Sequence, residues 1–208
     1  MKSRRTFLKK TALSSMAAAL LPLLGNASGN PGSKAKSIKF PVVLSTWFHG
    51  IEANVAAWKI LSSGGRALDA VEQGVRVVES DPKGTSVGIG GLPDREGHVT
   101  LDACIMNEFG DCGSVAFLEH IVNPISVARM VMEKTPHVVL VGKGALQFAL
   151  DNGFKKTNLL TPESKKAWKL WLQESKYKPV INIENHDTIG MIAIDASGNL
   201  SGSCTTSG

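Results

Sequence analysis

The sequence of 208 residues lacks the features that mark several large classes of protein. Outside its N-terminal segment, no apolar run reaches the ~18 residues that a membrane-spanning helix needs. Three cysteines are present (Cys104, Cys112 and Cys204), and an odd number cannot all pair within one chain. The CxxC and HExxH motifs are missing, which argues against a structural zinc site. With 43% apolar and 20% charged residues, the composition is that of a globular protein.

Two glycine-containing segments could suggest a phosphate-binding loop. Neither Gly88–Gly91 nor Gly142–Gly144 fits GxxxxGK[ST] or GxGxxG between a strand and a helix. Tight turns are the better interpretation of both. The sequence also has no GxSxG motif, so it gives no support to a serine hydrolase triad.

The chain carries a formal net charge of +5, but this charge belongs to its N-terminus. Five of its 23 basic residues fall within residues 1–27, where there is no acidic residue. The remainder is electrically balanced and has no net basic footprint for a nucleic acid. Lysines around Trp168 and Trp171 are diluted by acidic residues, and we expect a solvated helix face there rather than a nucleic-acid site.

Residues 1–27 have the organisation of an export signal. The segment Ser3–Lys9 (SRRTFLK) resembles a twin-arginine motif, residues 11–24 are mildly apolar, and residues 25–27 are small enough for a signal peptidase. We therefore expect a twin-arginine signal peptide and a periplasmic protein, free of the membrane after export. A basic amphipathic arm that stays attached is the alternative. Residues 28–40 are predicted to be a flexible lead-in.

The body of the chain alternates between predicted strands and helices. Strands are expected near 41–44, 99–105, 137–141, 188–194 and 200–206, and helices near 53–61, 68–78, 124–134, 145–152 and 162–175. Asn123 is expected to cap the third helix and Gly153 to end the fourth. This order of elements is typical of an α/β or layered α+β domain.

A polar turn, Asn185–Asp187, leads directly into an apolar strand that begins with Thr188. Such a turn is usually only a turn. However, cleavage before Thr188 would free an α-amine with a pKa near ~7.7, compared with ~10.4 for a lysine. That amine could serve as the base for the threonine's own hydroxyl, as in N-terminal threonine nucleophiles.

The segments His186–Met191 (HDTIGM) and Thr205–Gly208 (TTSG) resemble the bacterial glycosylasparaginases, a family of N-terminal nucleophile hydrolases. The resemblance extends over residues 42–208. It includes the segments LSTW at 44–47, LDACIM at 101–106, NPISVAR at 123–129 and EKTPH at 133–137.

The resemblance implies a fold and a processing step. The expected fold is an α+β four-layer αββα sandwich, incomplete in this chain. The expected precursor cleaves itself between Asp187 and Thr188, so that residues 41–187 form the α-chain region and residues 188–208 the start of a truncated β-chain region. Asp187 would deprotonate the Thr188 hydroxyl, and His186 would help to hold a strained turn.

The resemblance also implies an activity. Thr188 would attack the side-chain amide of a glycosylated asparagine, Thr206 would hydrogen-bond around its hydroxyl and amine, and Trp47 would line the substrate pocket. Neither a metal nor an organic cofactor is implied. The family suggests an α/β heterodimer that pairs into a dimer when the β chain is complete.

Two alternatives stay open from the sequence. Family β chains extend much further beyond the nucleophile, and the missing part carries substrate clamps and the oxyanion hole. A catalytically inactive, truncated remnant is therefore one alternative to the enzyme. The other is an asparaginase or isoaspartyl peptidase of the same superfamily.

Overall fold

The computed structural model describes residues 39–174 and 188–207. Helices and a mixed sheet make up these ranges, which confirms the predicted α+β class. Within the described ranges, no helix combines the length and the apolar character needed to cross a membrane. The predicted signal peptide, the lead-in up to Ile38, Ser175, and the turn before Thr188 lie outside the described residues.

Six strands and five helices are described. The strands are β1 (Val42–Ser45), β2 (Leu101–Met106), β3 (Cys112–Leu118), β4 (Val139–Val141), β5 (Ile189–Ile194) and β6 (Leu200–Ser207). The helices are α1 (Gly50–Ser62), α2 (Ala67–Glu79), α3 (Pro124–Lys134), α4 (Gly142–Asp151) and α5 (Pro162–Glu174). Most elements lie within three residues of their predicted bounds.

All six strands join one sheet in the order β1-β5-β6-β2-β3-β4. Strands β5 and β6 form the predicted hairpin, which turns at 195–199. The pair β3–β4 is parallel and every other pair is antiparallel. The last two strands therefore lie at the centre of the sheet, between β1 on one side and β2 on the other.

One face of the sheet carries the core. Inward side chains alternate along the strands, as in Leu101, Ala103 and Ile105 of β2, which are at most 5% exposed. Ala103 and Ile105 belong to one apolar cluster with buried side chains of α1, α2, α3 and α4, whereas Leu101 packs in a smaller cluster with Val99 and Leu159. The described residues thus supply one sheet and one helical layer of the expected sandwich.

The opposite face of the sheet is apolar and open among the described residues. Leu44, Met106 and Ile192 point outward and are between 42% and 59% exposed. Together with Cys104, Cys112 and Cys204 they border a shallow cavity of about 700 Å³. This outward face is the side on which Gly190 and the even-numbered residues of β6 stand, because side chains alternate along a strand.

Strand β3 was missed by the sequence analysis, and its packing explains why. Its inward positions include Gly113, where an added Cβ would collide with the carbonyl oxygen of Ala128 in α3. The close approach of the helix thus requires a residue without a side chain. The strand consequently lacks the strong alternation of apolar residues that reveals a half-buried strand.

The strand predicted at 137–141 is present over Val139–Val141. This strand, β4, lies at the edge of the sheet, and Val139 and Val141 are about half exposed. One other prediction needs correction, because the glycines at 142–144 do not form an isolated turn: α4 begins there.

The predicted capping role of Asn123 is also wrong in its chemistry. Asn123 is the N-cap residue of α3, but its side chain makes no capping hydrogen bond. Instead, its Nδ2 donates to Oε2 of Glu79 at 3.1 Å, and Oε1 of Glu79 accepts the backbone N–H of Ile125 at 3.1 Å. A carboxyl oxygen at the end of α2 therefore satisfies one of the free N–H groups at the start of α3.

Candidate active site

The predicted nucleophile, Thr188, stands immediately before β5 and is half-buried. Its Oγ1 donates a hydrogen bond to Oγ1 of Thr206 in β6, at 3.0 Å. The antiparallel register explains this contact, because β5 and β6 pair Ile189 with Thr205 and so bring the two threonines opposite each other. The structure thus brings together two of the residues that the sequence analysis singled out.

Thr46 holds the backbone of the nucleophile from the other side. Its Oγ1 donates to the carbonyl oxygen of Thr188 at 3.3 Å and accepts the N–H of Gly190 at 3.0 Å. Its own N–H donates to the carbonyl of Gly190 at 3.0 Å. Thr46 therefore continues the β1–β5 ladder by one residue and fixes the start of β5. The sequence analysis quoted the segment that contains Thr46 but gave it no role.

Trp47 follows directly after Thr46. Its backbone is in the left-handed region, with φ of 62°, and its side chain is half exposed. A positive φ is unusual for a large residue and turns the chain sharply out of the strand. The predicted substrate-lining residue thus stands next in sequence to a residue that contacts the nucleophile.

The end of β6 is anchored by the loop that follows α2. The N–H of Ser207 donates to the carbonyl oxygen of Ser86 at 3.0 Å, and Oγ of Ser207 donates to the same oxygen at 2.8 Å. Gly91 lies close by, because a Cβ added to it would approach Cβ of Ser207 to 2.8 Å. The predicted tight turn is confirmed, with positive φ at Gly88 and Gly90. This loop therefore borders the strand that carries Thr206.

A buried carboxyl group supports β6 from the core side. Oγ1 of Thr205 donates to Oε1 of Glu79 at 2.8 Å, and Glu79 is completely buried. Burial raises the pKa of Glu79 to about 8, whereas the hydrogen bonds from Thr205, Asn123 and Ile125 oppose that rise. Sequence inspection missed Glu79 because an acidic residue at the end of a helix normally indicates a solvated position.

The chemistry available at Thr188 depends on a base. Among residues 39–174 and 188–207, the hydrogen-bond partner of its hydroxyl is another hydroxyl, which orients the oxygen but is too weakly basic to ionise it. His186 and Asp187 lie outside the described residues. A free α-amine on Thr188 itself would supply a base of suitable pKa.

Within residues 39–174 and 188–207, the His, Cys, Asp and Glu side chains form no group of three that could hold a metal ion. The absence of a metal and of an organic cofactor stays a prediction.

Comparison with known proteins relates this geometry to a family. A family model described as asparaginase matches residues 47–208. An Elizabethkingia miricola protein named N(4)-(Beta-N-acetylglucosaminyl)-L-asparaginase is 65% identical over 206 residues, which cover 99% of this chain and 60% of that protein.

Two mammalian proteins of the same name are more distant. The Rattus norvegicus protein is 38% identical over 199 residues, covering 81% of this chain and 57% of its own length. The Mus musculus protein is 38% identical over 204 residues, with coverages of 83% and 59%. The chain thus spans about three-fifths of the length of these curated relatives. Because the family model covers well over half of the chain, this protein belongs to the asparaginase family and, within it, resembles the glycosylasparaginases.

Proposed function

We propose that this chain carries the nucleophile of an amidohydrolase that cleaves the N4-glycosyl-asparagine bond, releasing aspartate and a glycosylamine. The observation that carries the proposal is the contact between Thr188 and Thr206. Thr188 stands at the start of the interior strand β5, on the open face of the sheet. Its Oγ1 lies 3.0 Å from Oγ1 of Thr206 in β6. A hydroxyl that is oriented in this way needs only a base to become a nucleophile.

The first step of the proposal is self-cleavage. Oγ1 of Thr188 attacks the carbonyl carbon of Asp187, and the peptide bond between them gives way to an ester on Thr188. Water then hydrolyses the ester, which leaves Asp187 with a free carboxylate and Thr188 with a free α-amine. Asp187 is proposed to take the hydroxyl proton in this step, and His186 to help hold the turn.

The second step uses the new amine. It accepts the hydroxyl proton as Oγ1 attacks the side-chain amide carbonyl of the substrate, and it returns that proton to the departing glycosylamine. A β-aspartyl ester on Thr188 results, and water releases aspartate. Thr206 orients the hydroxyl throughout, Thr46 fixes the strand start, and Trp47 is proposed to line the substrate pocket.

The proposed substrate follows the names of the relatives. Both the bacterial and the mammalian proteins are named for the N-acetylglucosaminyl derivative of asparagine. The family description, asparaginase, favours plain asparagine as a second candidate with the same nucleophile. An isoaspartyl peptide would present a similar β-carbonyl group to Thr188.

The setting of the enzyme is also proposed rather than observed. Residues 1–27 are proposed to direct export to the periplasm through the twin-arginine route. An α/β pair produced by self-cleavage, assembling as a dimer, is the proposed state of the whole protein.

The substrate proposal is tested by comparing turnover of aspartyl-N-acetylglucosamine, asparagine and a β-aspartyl dipeptide by the purified protein. The proposal predicts the highest kcat/KM for the glycosylated compound and none with Thr188→Ala. Faster turnover of asparagine would favour the second candidate. Equal activity of wild type and Thr188→Ala, or no turnover of any of the three substrates, would contradict the proposed amidohydrolase activity.

A further inference from the structure

The outward face of the sheet carries a pair of thiols that the proposed function does not use. Cys104 of β2 and Cys204 of β6 are direct partners in the antiparallel register. Both point to the outward face, where Cys104 is exposed and Cys204 half-buried. Because the two residues stand directly opposite each other, their side chains lie side by side across the two strands.

We propose that Cys104 and Cys204 are a disulfide-forming pair, which a disulfide-donating oxidant closes into a bond between β2 and β6. Residues directly opposite each other in an antiparallel pair have Cα atoms about 4.5–5.5 Å apart. Disulfides join residues whose Cα atoms are about 4.4–6.8 Å apart. The ladder therefore places the two Cα atoms within the range that a disulfide spans.

The third cysteine is placed differently. Cys112 of β3 is paired with Met106, whereas the partner of Cys104 in β3 is Ser114. Cys112 is thus diagonal to Cys104, at about 7–8 Å, which is beyond the usual range for a disulfide. The register selects Cys204 over Cys112, although all three thiols border the same cavity.

The protonation of the pair suits thiol–disulfide exchange. The hydrogen bond from Cys204 lowers the pKa of Cys104 to about 6, and the same contact raises the pKa of Cys204 above its usual range. Among the described residues Cys104 is the more exposed of the two thiols, so it is the one that the oxidant reaches first. Cys204 then completes the bond in the second step.

The reaction balances in two exchanges. The Cys104 thiolate attacks one sulfur of the donor disulfide, whose S–S bond breaks and releases one thiolate. Cys204 then loses its proton and attacks Sγ of Cys104 in the mixed disulfide, releasing the second thiolate. The cysteine pair loses two electrons and two protons, and the donor disulfide is reduced to two thiols.

The bond would lie beside the candidate active site. Cys204 is two residues before Thr206 on the same strand and the same face. A disulfide there would tie the strand that presents Thr206 to its neighbour β2. This inference does not depend on the proposed function, because it concerns only the register of two strands.

The experiment treats the purified, folded protein with oxidised glutathione and then alkylates the remaining thiols. We expect intact mass to show one alkylated cysteine and the loss of two hydrogen atoms, and peptide mapping to join Cys104 to Cys204. The matched control Cys112→Ser should form the same bond with no alkylated cysteine. Cys104→Ser should form no bond within the chain.

Three results would overturn the proposal. They are three alkylated cysteines in the treated wild type, a bond that includes Cys112, or glutathione that remains attached to Cys104. Wild type and Cys112→Ser keep both cysteines of the pair, so these outcomes do not depend on whether Cys104→Ser folds. The same treatment in urea checks the role of the fold, because an unfolded chain should give a mixture of pairings.

Discussion

The hydroxyl groups of Thr188 and Thr206 lie 3.0 Å apart, across two strands that are neighbours at the centre of the sheet. Thr206 is itself held by the carbonyl oxygen of Ser207, 3.3 Å from its Oγ1. The two contacts fix the positions of both hydroxyl oxygens. The attacking atom is thereby oriented before a base removes its proton.

Replacing Thr206 tests this relationship. Thr206→Val removes the acceptor while keeping the shape of the side chain, and the loss of one hydrogen bond costs about 0.5–1.5 kcal/mol. We expect self-cleavage and hydrolysis to slow by roughly three- to ten-fold, with recovery in Thr206→Ser. The control Thr85→Val changes an exposed threonine. An equal loss of rate in Thr85→Val would show that the effect is not specific to Thr206.

Thr46→Val removes two hydrogen bonds at the start of β5, one to the Thr188 carbonyl and one from the Gly190 N–H. Because β5 would then begin less firmly, we expect the rate of cleavage before Thr188 to fall by about ten-fold, with a loss of about 1 kcal/mol in unfolding free energy. Thr46→Ser retains the hydroxyl and should behave as wild type. The rate is measured from the appearance of the cleaved chains over time. An unchanged cleavage rate in Thr46→Val would show that Thr46 does not contribute to the site.

Glu79 predicts a pH dependence of stability. Its carboxyl group titrates at about 8 in the folded chain, compared with 4.5 ordinarily. Between these values the folded chain binds more protons than the unfolded chain, so the free energy of unfolding falls as the pH rises. Urea unfolding across that interval should show the decline in wild type and a flatter profile in Glu79→Gln. The same dependence of unfolding free energy on pH in both proteins would show that Glu79 is not the group that titrates.

Arg129 anchors a network of carboxylates between α2 and α3. It contacts Asp69, Glu72 and Glu133, each at 2.7 Å, and its side chain is only 18% exposed. Arg129→Met leaves these charges uncompensated, and we expect a loss of about 2–4 kcal/mol in unfolding free energy. The matched control is Arg66→Met, which breaks an ion pair whose arginine is half exposed and should cost less than about 1 kcal/mol. Similar losses of unfolding free energy in the two variants would contradict the larger contribution expected of Arg129.

Much of the fold was predictable because it rests on local patterns. The helices α1, α2 and α3 follow apolar spacing, and the β5–β6 hairpin follows from two strands around a polar turn. The strand β3 was not predictable, since the close packing of α3 requires Gly113 and weakens the pattern. The exposed position of β4 depends on sheet order, which its own three residues do not encode.

Some residues of the candidate site could likewise be predicted from the sequence, and others could not. The importance of Thr188, Thr206 and Trp47 was inferred through resemblance to a family, and the strand register explains why the two threonines meet. The contributions of Thr46 and Glu79 depend on tertiary contacts between distant segments. Glu79 replaces a local cap at Asn123, and no spacing within the sequence indicates that a helix end 44 residues away is its partner.

The intact mass of the purified protein shows whether Thr188 is the nucleophile. We expect two masses that divide at Asp187 and Thr188 in wild type, and one uncut mass in Thr188→Ala. Thr188→Ser, which keeps a hydroxyl, should still be cut. A single uncut mass for wild type, or cleavage at the same bond in Thr188→Ala, would show that Thr188 is not the nucleophile.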